Sequence, residues 1–591
     1  MSQDKAPQEI SNHEYDLAIA KRRRFRAAKA CYPCRRRKVK CNFGQPCDSC
    51  TIRGHPDLCN YTLAPDMNHP LKANNVSNPG TSAASENESA ATGSANDITQ
   101  GLYVNPIAPY NAKVHLGPES LPSLLTMYQS LSSHQQLQDR DSPQIDVFKP
   151  STNPQTIFEL LCLQDSGALI PLANLWKPED GPEITYKALP EDEQIKSYVQ
   201  YFQTSLFRIL PFTINFVQFE AALSRFLNER RNNAEAALQN PPSECTLTWF
   251  GLLFSILACS AQLRSDQESE LLKAGVFACC SFQCLRLNNF ISFPDISTIQ
   301  ALILLVNYLQ NQANAGASWS ILGLTIRLAQ TLGLHCSPDP DDVAVDQKGE
   351  VTVKYYIWRS LIWQDTLVSL WYGRPSCITV LEDISIELPA QESSRQYPFT
   401  HSCNHLFITA NKISQATNKA KFSKRQLSLL EIRDFKKVVD QIVARSAPHL
   451  QHASLCRNRD DSIQHHFFHE FVDSVVLCLY RPVMLSYGDA YSKELTDTHL
   501  ERCRSVLRTY LELLKLDCPI RRSWVFVHVT LSCALTLALA ANTQEDISDK
   551  TFLHGFLETF SQANIFSNVP SYQNALRLLR QSLSTNDQTE H

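Results

Sequence analysis

Six cysteines lie between residues 31 and 59, in the order Cys31-x2-Cys34-x6-Cys41-x5-Cys47-x2-Cys50-x8-Cys59. Two Cys-x-x-Cys pairs bracket the array, the spacing at which one turn of backbone delivers two thiolates to one tetrahedral ion. Two separate four-coordinate zinc ions would need eight sulfur bonds, which six thiolates supply only if two of them bridge. The alternative is one zinc with four ligands and two spare thiols. Either way the metal substitutes for a core: some thirty residues with so few large apolar side chains cannot fold by burial alone. A structural zinc ion contributes on the order of 10–16 kcal/mol, enough to decide between folded and unfolded.

A cationic run follows the first pair directly: Arg35, Arg36, Arg37, Lys38 and Lys40. A short helix starting there would present these side chains on one exposed side, because the cysteines turn to the metal. Two Zn²⁺ and six thiolates carry a net charge of about −2, so the run also balances the cluster. Upstream, Lys21, Arg22, Arg23, Arg24 and Arg26 form a second basic cluster of the nuclear-import type. The first sixty residues hold thirteen Lys and Arg against six Asp and Glu, although the whole chain has a net charge of −4. The rest therefore carries −11. A small basic head on a large acidic body is the charge pattern of a polyanion-binding module attached to a separate domain.

The elements around this head divide by composition. Residues 1–30 are a polar and then basic arm, and residues 31–61 hold the cysteines. Residues 62–154 are rich in Ser, Asn, Ala, Pro and Gln, a composition that buries too little apolar surface to order itself and predicts a linker. Leu121, Leu124, Leu125, Tyr128 and Leu131 within it could form one short amphipathic helix. From 155 to 583 the periodicity is helical and nearly continuous, and 584–591 form a polar tail.

Several helices can be placed. Ile195, Tyr198, Val199, Phe202 and Leu206 follow the acidic start Glu191-Asp192-Glu193, which suits a helix N-terminus. Ile299 to Leu309 and Trp319 to Ala329 repeat at helix spacing, the second ending at Gly333 as a C-cap. Seventeen glycines in 591 residues, where average usage gives roughly 40, argue against Gly-rich phosphate loops and for helices. The fold expected is mainly α: a small metal cluster, a linker and a large all-helical domain. The apolar run Trp524–Ala541 reads as a buried helix, since His528, Thr530, Ser532 and Thr536 interrupt it, and no membrane partner is expected. No P-loop, GxSxG, HExxH or dinucleotide fingerprint occurs, so no enzyme is expected.

The segment ACYPCRRRKVKCNFGQPCDSCTIRGHPDLCNY resembles the binuclear zinc cluster of fungal transcription factors. It does so in its spacing, its basic run, the proline before the fourth cysteine and the terminal Cys-x-Tyr. The resemblance implies two zinc ions, with Cys31 and Cys47 bridging, Cys34 and Cys41 completing one ion, and Cys50 and Cys59 the other. It further implies that Arg37 and Lys38 contact bases in the major groove, on CGG-type half-sites, while Arg35, Arg36 and Lys40 hold phosphates.

A second resemblance, to the fungal-specific transcription factor domain, rests on Trp319, Gly323, Arg327, Ala329, Gly333-Leu334-His335, Trp358, Asp365, Gly373-Arg374-Pro375, Leu388-Pro389 and Tyr480-Arg481-Pro482. Two positions depart from the pattern: the basic run before the tryptophan is reduced to Lys354-Tyr355-Tyr356, and Trp363 stands apart from Trp358. Together these imply a nuclear regulator of transcription whose partners are double-stranded DNA and the transcription machinery or co-regulators, with homodimerisation left open.

Three clusters in the body admit a functional and a plain reading. Arg327 and Arg374 could hold an anionic effector or form helix-packing salt bridges. His465, His466, His469 and Glu470 could bind metal or line helix faces. Cys279, Cys280 and Cys284 could sense oxidants or fill the core. The plain reading is expected for each.

Overall fold

The computed structural model describes residues 31–59 in part, two strands between 102 and 115, and residues 172–584 with breaks, chiefly at 208–213, 339–347, 379–395, 485–491 and 564–569. The chain forms two compact units, residues 1–93 and 94–591, treated separately below. The Leu121–Leu131 segment and the basic cluster Lys21–Arg26 lie outside the described residues.

The first unit contains the short helix α1 (Asp48–Thr51). The second begins with an antiparallel ribbon of β1 (Leu102–Val104) and β2 (Lys113–His115), in which Tyr103 faces Val114. This ribbon lies inside the segment whose composition predicted only linker.

The remaining elements are helical. They run α2 (Pro182–Tyr186), α3 (Asp192–Tyr201), α4 (Phe216–Asn232), α5 (Ala234–Gln239), α6 (Leu247–Arg264), α7 (Glu268–Leu287), α8 (Ile296–Asn311) and α9 (Ala315–Thr331). After these come α10 (Lys348–Tyr372), α11 (Phe399–Phe422), α12 (Leu429–Arg445), α13 (Pro448–Gln451) and α14 (Arg459–Met484). Then follow α15 (Ser492–Lys515), α16 (Trp524–Gln544), α17 (Ile547–Gln562) and α18 (Pro570–Ser584). Helix α3 starts with Asp192 and Glu193 in its first turn, as the acidic run predicts.

Side-chain caps set the starts of many helices. Thr246, Asp295 and Asn314 each accept a hydrogen bond from the third helical amide of α6, α8 and α9, satisfying a donor that has no partner within the helix. Gly333 ends the run after α9 at φ +71°, a left-handed conformation that costs glycine nothing.

Burial follows the sequence pattern. Helices α6 and α16 are apolar around their whole circumference and therefore lie inside the body. α6 packs against α3, α7 and α8, and α16 against α15, α17 and α18. Both are long and apolar enough to cross a membrane, and 89% and 83% of their apolar windows are buried within the body itself. Surface helices show a stripe instead: α12 buries Ile432, Val438, Val439 and Ile442 at helix spacing.

Polar side chains tie the central helices together. Asn311 on α8 donates to the Gln262 side chain on α6 (3.1 Å) and accepts from the Trp524 amide at the start of α16 (2.9 Å). A buried polar group is tolerated when its partners are fixed in this way.

Candidate metal centre

The second Cys-x-x-Cys pair is built by α1. Cys47 sits just before its first turn, and its carbonyl accepts from the amides of Cys50 (2.9 Å) and Thr51 (3.0 Å). One helical turn therefore separates the two thiols and points both to the same side. The strand leading in is pinned to this helix: the Asn42 carboxamide oxygen accepts the Asp48 amide (3.0 Å), and the Lys40 carbonyl accepts the Ser49 hydroxyl (2.8 Å). The Cys47 amide donates to Cys59 Sγ (3.1 Å), which draws the last cysteine of the array back to the helix.

All six thiols are buried, and the only apolar side chain packed on them among the described residues is Val39. They are the core of this unit. Their Sγ atoms fall into two overlapping tetrads, Cys31-Cys34-Cys41-Cys47 and Cys31-Cys47-Cys50-Cys59, with all sulfurs of a tetrad within 4.8 Å of one another. Sγ of Cys31 lies 3.7 Å from both Cys47 and Cys50, and Cys34 lies 3.6 Å from Cys47. A tetrahedron of zinc–sulfur bonds at about 2.3 Å has an edge of about 3.8 Å, so the donor set fits the ion in type, number and spacing.

The thiols also differ in acidity. Burial pushes Cys50 up to about 12 and Cys31 higher still. Cys47 is also raised by burial, but hydrogen bonds from the Cys50 amide and from the neighbouring thiols outweigh that and bring it down to about 6. Cys47, shared by both tetrads, is thus lowered where Cys31, Cys34 and Cys50 are raised. A bound cation supplies the remaining deprotonation.

Of the cationic run, Lys40 is exposed beside the cluster, and Arg35, Arg36, Arg37 and Lys38 lie outside the described residues. Every described cysteine of the chain is free of disulfides.

Trp319, Gly323 and Gly373-Arg374 of the signature positions meet at the loop after α10. Arg374 is buried, its guanidinium 5.0 Å from the Trp319 ring and 5.6 Å from the Tyr372 ring. Gly373 turns the chain at φ +60°, and a Cβ at Gly323 would touch Cys377 Sγ at 3.9 Å. Pro375 is exposed, as is Arg327, which donates to the Gln330 side chain (3.0 Å). Arg374 packs against aromatic rings, where a helix-packing salt bridge is the expectation.

Beneath this loop lies a network that sequence reasoning missed. Asp365 Oδ2 accepts the Ser376 hydroxyl (2.5 Å) and the Ile378 amide (2.9 Å), and Asn411 Nδ2 reaches Ser376 Oγ (2.9 Å). Asp365 carries a recognisable match, but nothing in the sequence marks Asn411 on α11 as its neighbour.

Two of the histidines on α14 bond to backbone carbonyls of the preceding turn. His465 Nδ1 and His469 Nε2 meet the His449 and Leu450 carbonyls at 2.8 and 2.7 Å. Cys279, Cys280 and Cys284 are buried, and burial pushes Cys279 up to about 11 and the other two higher, far from the reactive thiolate range.

Comparison with known proteins agrees with both parts of the chain. Residues 29–67 match the fungal Zn(2)-Cys(6) binuclear cluster domain and residues 195–468 the fungal specific transcription factor domain. The thiamine repressible genes regulatory protein thi1 of Schizosaccharomyces pombe is 23% identical over 453 residues, 68% of this chain and 57% of that protein. The lactose regulatory protein LAC9 of Kluyveromyces lactis is 29% identical over 133 residues, 21% of this chain and 15% of its own length. The chain thus spans less than two thirds of either relative. Among solved structures, the K. lactis CBF3 core aligns with 72% of this chain and 91% of its own at a TM-score of 0.49 and 15% identity. The cluster domain is of a type that holds two zinc ions. With its cysteine tetrads and its helical domain both matched, the chain belongs to the fungal Zn(2)-Cys(6) binuclear-cluster transcription factor family.

Proposed function

We propose that this chain is a zinc-dependent, sequence-specific DNA-binding regulator of transcription acting in the nucleus at RNA polymerase II promoters. The observation that carries the reading is the pair of sulfur tetrads sharing Cys31 and Cys47. In this reading those two bridge, Cys34 and Cys41 complete one ion, and Cys50 and Cys59 complete the other. The cluster fixes the ends of the segment 35–40, whose cations then face DNA. Arg37 and Lys38 donate to the N7 and O6 acceptors of guanine in a CGG-type half-site, and Arg35, Arg36 and Lys40 neutralise phosphates. Lys21, Arg22, Arg23, Arg24 and Arg26 direct nuclear import. The gene set controlled is metabolic or biosynthetic, in keeping with relatives named for lactose and thiamine regulation. Co-regulators, and a second copy of the chain, are the further partners of this reading.

Gel shifts with a CGG-containing duplex and its scrambled counterpart test it. Binding should be lost on chelation. Lys38→Ala should remove about 1–3 kcal/mol of discrimination between the two duplexes. Arg36→Ala should weaken both alike and reduce the salt slope by about one unit. Full specificity in Lys38→Ala would refute the base-contact assignment.

A further inference from the structure

The helical body contains a cavity of about 410 Å³ that neither the cluster nor the signature residues use. Its volume lies within the range that accommodates small ligands. Four elements meet at it: the end of α6, the turn after α3, the start of α14 and a short 3-10 turn at Pro519–Arg522.

The lining is cationic. Arg264, Arg459, Arg521 and Arg522 bring four guanidinium groups, against the carboxylates of Asp460 and Asp517. Asp517 pairs with Arg521. Arg264 donates to Ser197 Oγ (2.9 Å), and Arg459 to the Leu516 and Asp517 carbonyls (2.7 and 3.3 Å). Neutral acceptors of this kind orient a guanidinium and leave its charge uncompensated, and neither Arg264 nor Arg459 touches a carboxylate among the described residues. Glu270, the acid whose ionisation Arg264 favours, is already bonded to Lys273 and Tyr198.

Two further observations point the same way. The first turn of the 26-residue helix α14 lies at the cavity, adding the positive end of its dipole. A π-helical turn, Phe202–Leu206, also contributes to the lining, a wound-out form frequent at functional sites. It places Thr204 and Ser205 on the lining, and the Tyr201 hydroxyl there donates to the Leu263 carbonyl (3.1 Å). Asp517 holds φ +46°, a conformation an L-residue adopts at a cost when its surroundings impose it.

We propose that this cavity binds a small dianion, a dicarboxylate or a phosphate group, between Arg264 and Arg459 at the rim and Arg521 and Arg522 below. A charge of −2 matches the surplus of four guanidinium groups over two carboxylates. The site stands independently of whether the cluster reads DNA.

Melting of the full zinc-loaded chain tests it, with inorganic phosphate or succinate replacing chloride at matched ionic strength. A saturable rise in melting temperature with one anion is expected, and which anion produces it identifies the ligand chemistry. Arg264→Gln should raise the apparent Kd at least about tenfold, the loss of a charge-assisted hydrogen bond. Thr204→Tyr, which fills the entrance from an exposed position, should abolish the rise. Both residues are exposed, so the variants keep their fold. No saturable rise with either anion, or one unchanged in both variants, would overturn the proposal.

Discussion

Among single residues, Asp365 shows how a buried carboxyl can hold a loop through the hydrogen bonds it accepts. One oxygen accepts from Ser376 and Ile378, while the other is buried with no hydrogen-bond partner. Burial raises its pKa and outweighs the hydrogen bonds from Ser376 and from the Ile378 and Cys377 backbone, so its charge is held less readily than that of an exposed carboxyl. Asp365→Asn keeps a neutral acceptor of the same shape and should leave the melting temperature nearly unchanged. Asp365→Ala removes the acceptor shared by the Ser376 hydroxyl and the Ile378 amide, leaving that amide only Ser376 Oγ at 3.2 Å, and should cost about 1–3 kcal/mol. Equal losses in the two variants would show that the charge itself matters. Residue types explain why the cysteines were legible and Asp365 only partly so. Thiols at Cys-x-x-Cys spacing have one common use, and a local turn brings them together. An aspartate has many uses, and the partners that define this one come from Ser376, eleven residues on, and Asn411, on another helix.

At the level of the element, α12 carries a complete capping box. Ser428 Oγ accepts the Glu431 amide (3.3 Å), and the Glu431 carboxylate accepts the Ser428 amide (2.7 Å). Arg425 grips the same carboxylate through both terminal nitrogens, at 3.0 and 3.2 Å. The Arg425 guanidinium first, then the Ser428 donors, hold Glu431 down to about 2. A carboxyl depressed in the folded state stabilises above its unfolded value, about 4.3, and loses that contribution as pH falls through about 2. Glu431→Gln should therefore melt lower than wild type at pH 5, and the gap should close as pH falls toward 2. A gap independent of pH would remove the ionised carboxylate from the account. The 3.6-residue periodicity, with the acidic first turn of α3 and Gly333 after α9, is why α3, α8 and α9 could be placed from sequence: these signals are local. The β1–β2 ribbon was not foreseen, because its three-residue strands lie in a segment read from average composition. The cavity at the start of α14 was equally invisible, since its four arginines come from positions as far apart as 264 and 522.

The molecule as a whole rests on two cores of different kinds. The second unit has a continuous apolar core running from Leu172 to Leu583, whereas the first has six sulfurs and Val39. Removing metal from the first leaves thiols whose burial no longer has a compensating bond, and among the described residues only Val39 packs on them in its place. The second core contains none of those sulfurs. Chelation should therefore abolish the fold of residues 31–59 while the main melting transition stays where it was. Limited proteolysis reads the first effect: with chelator, cleavage should appear at Arg35, Arg36, Arg37, Lys38 and Lys40, and zinc should suppress it again. Calorimetry reads the second. A main transition that falls by many degrees on chelation would mean that the two cores are energetically coupled, and a cluster segment that resists protease without metal would mean that its six thiols suffice by themselves. The expected result is a switchable head whose loss of zinc costs the body nothing, as two separate cores require.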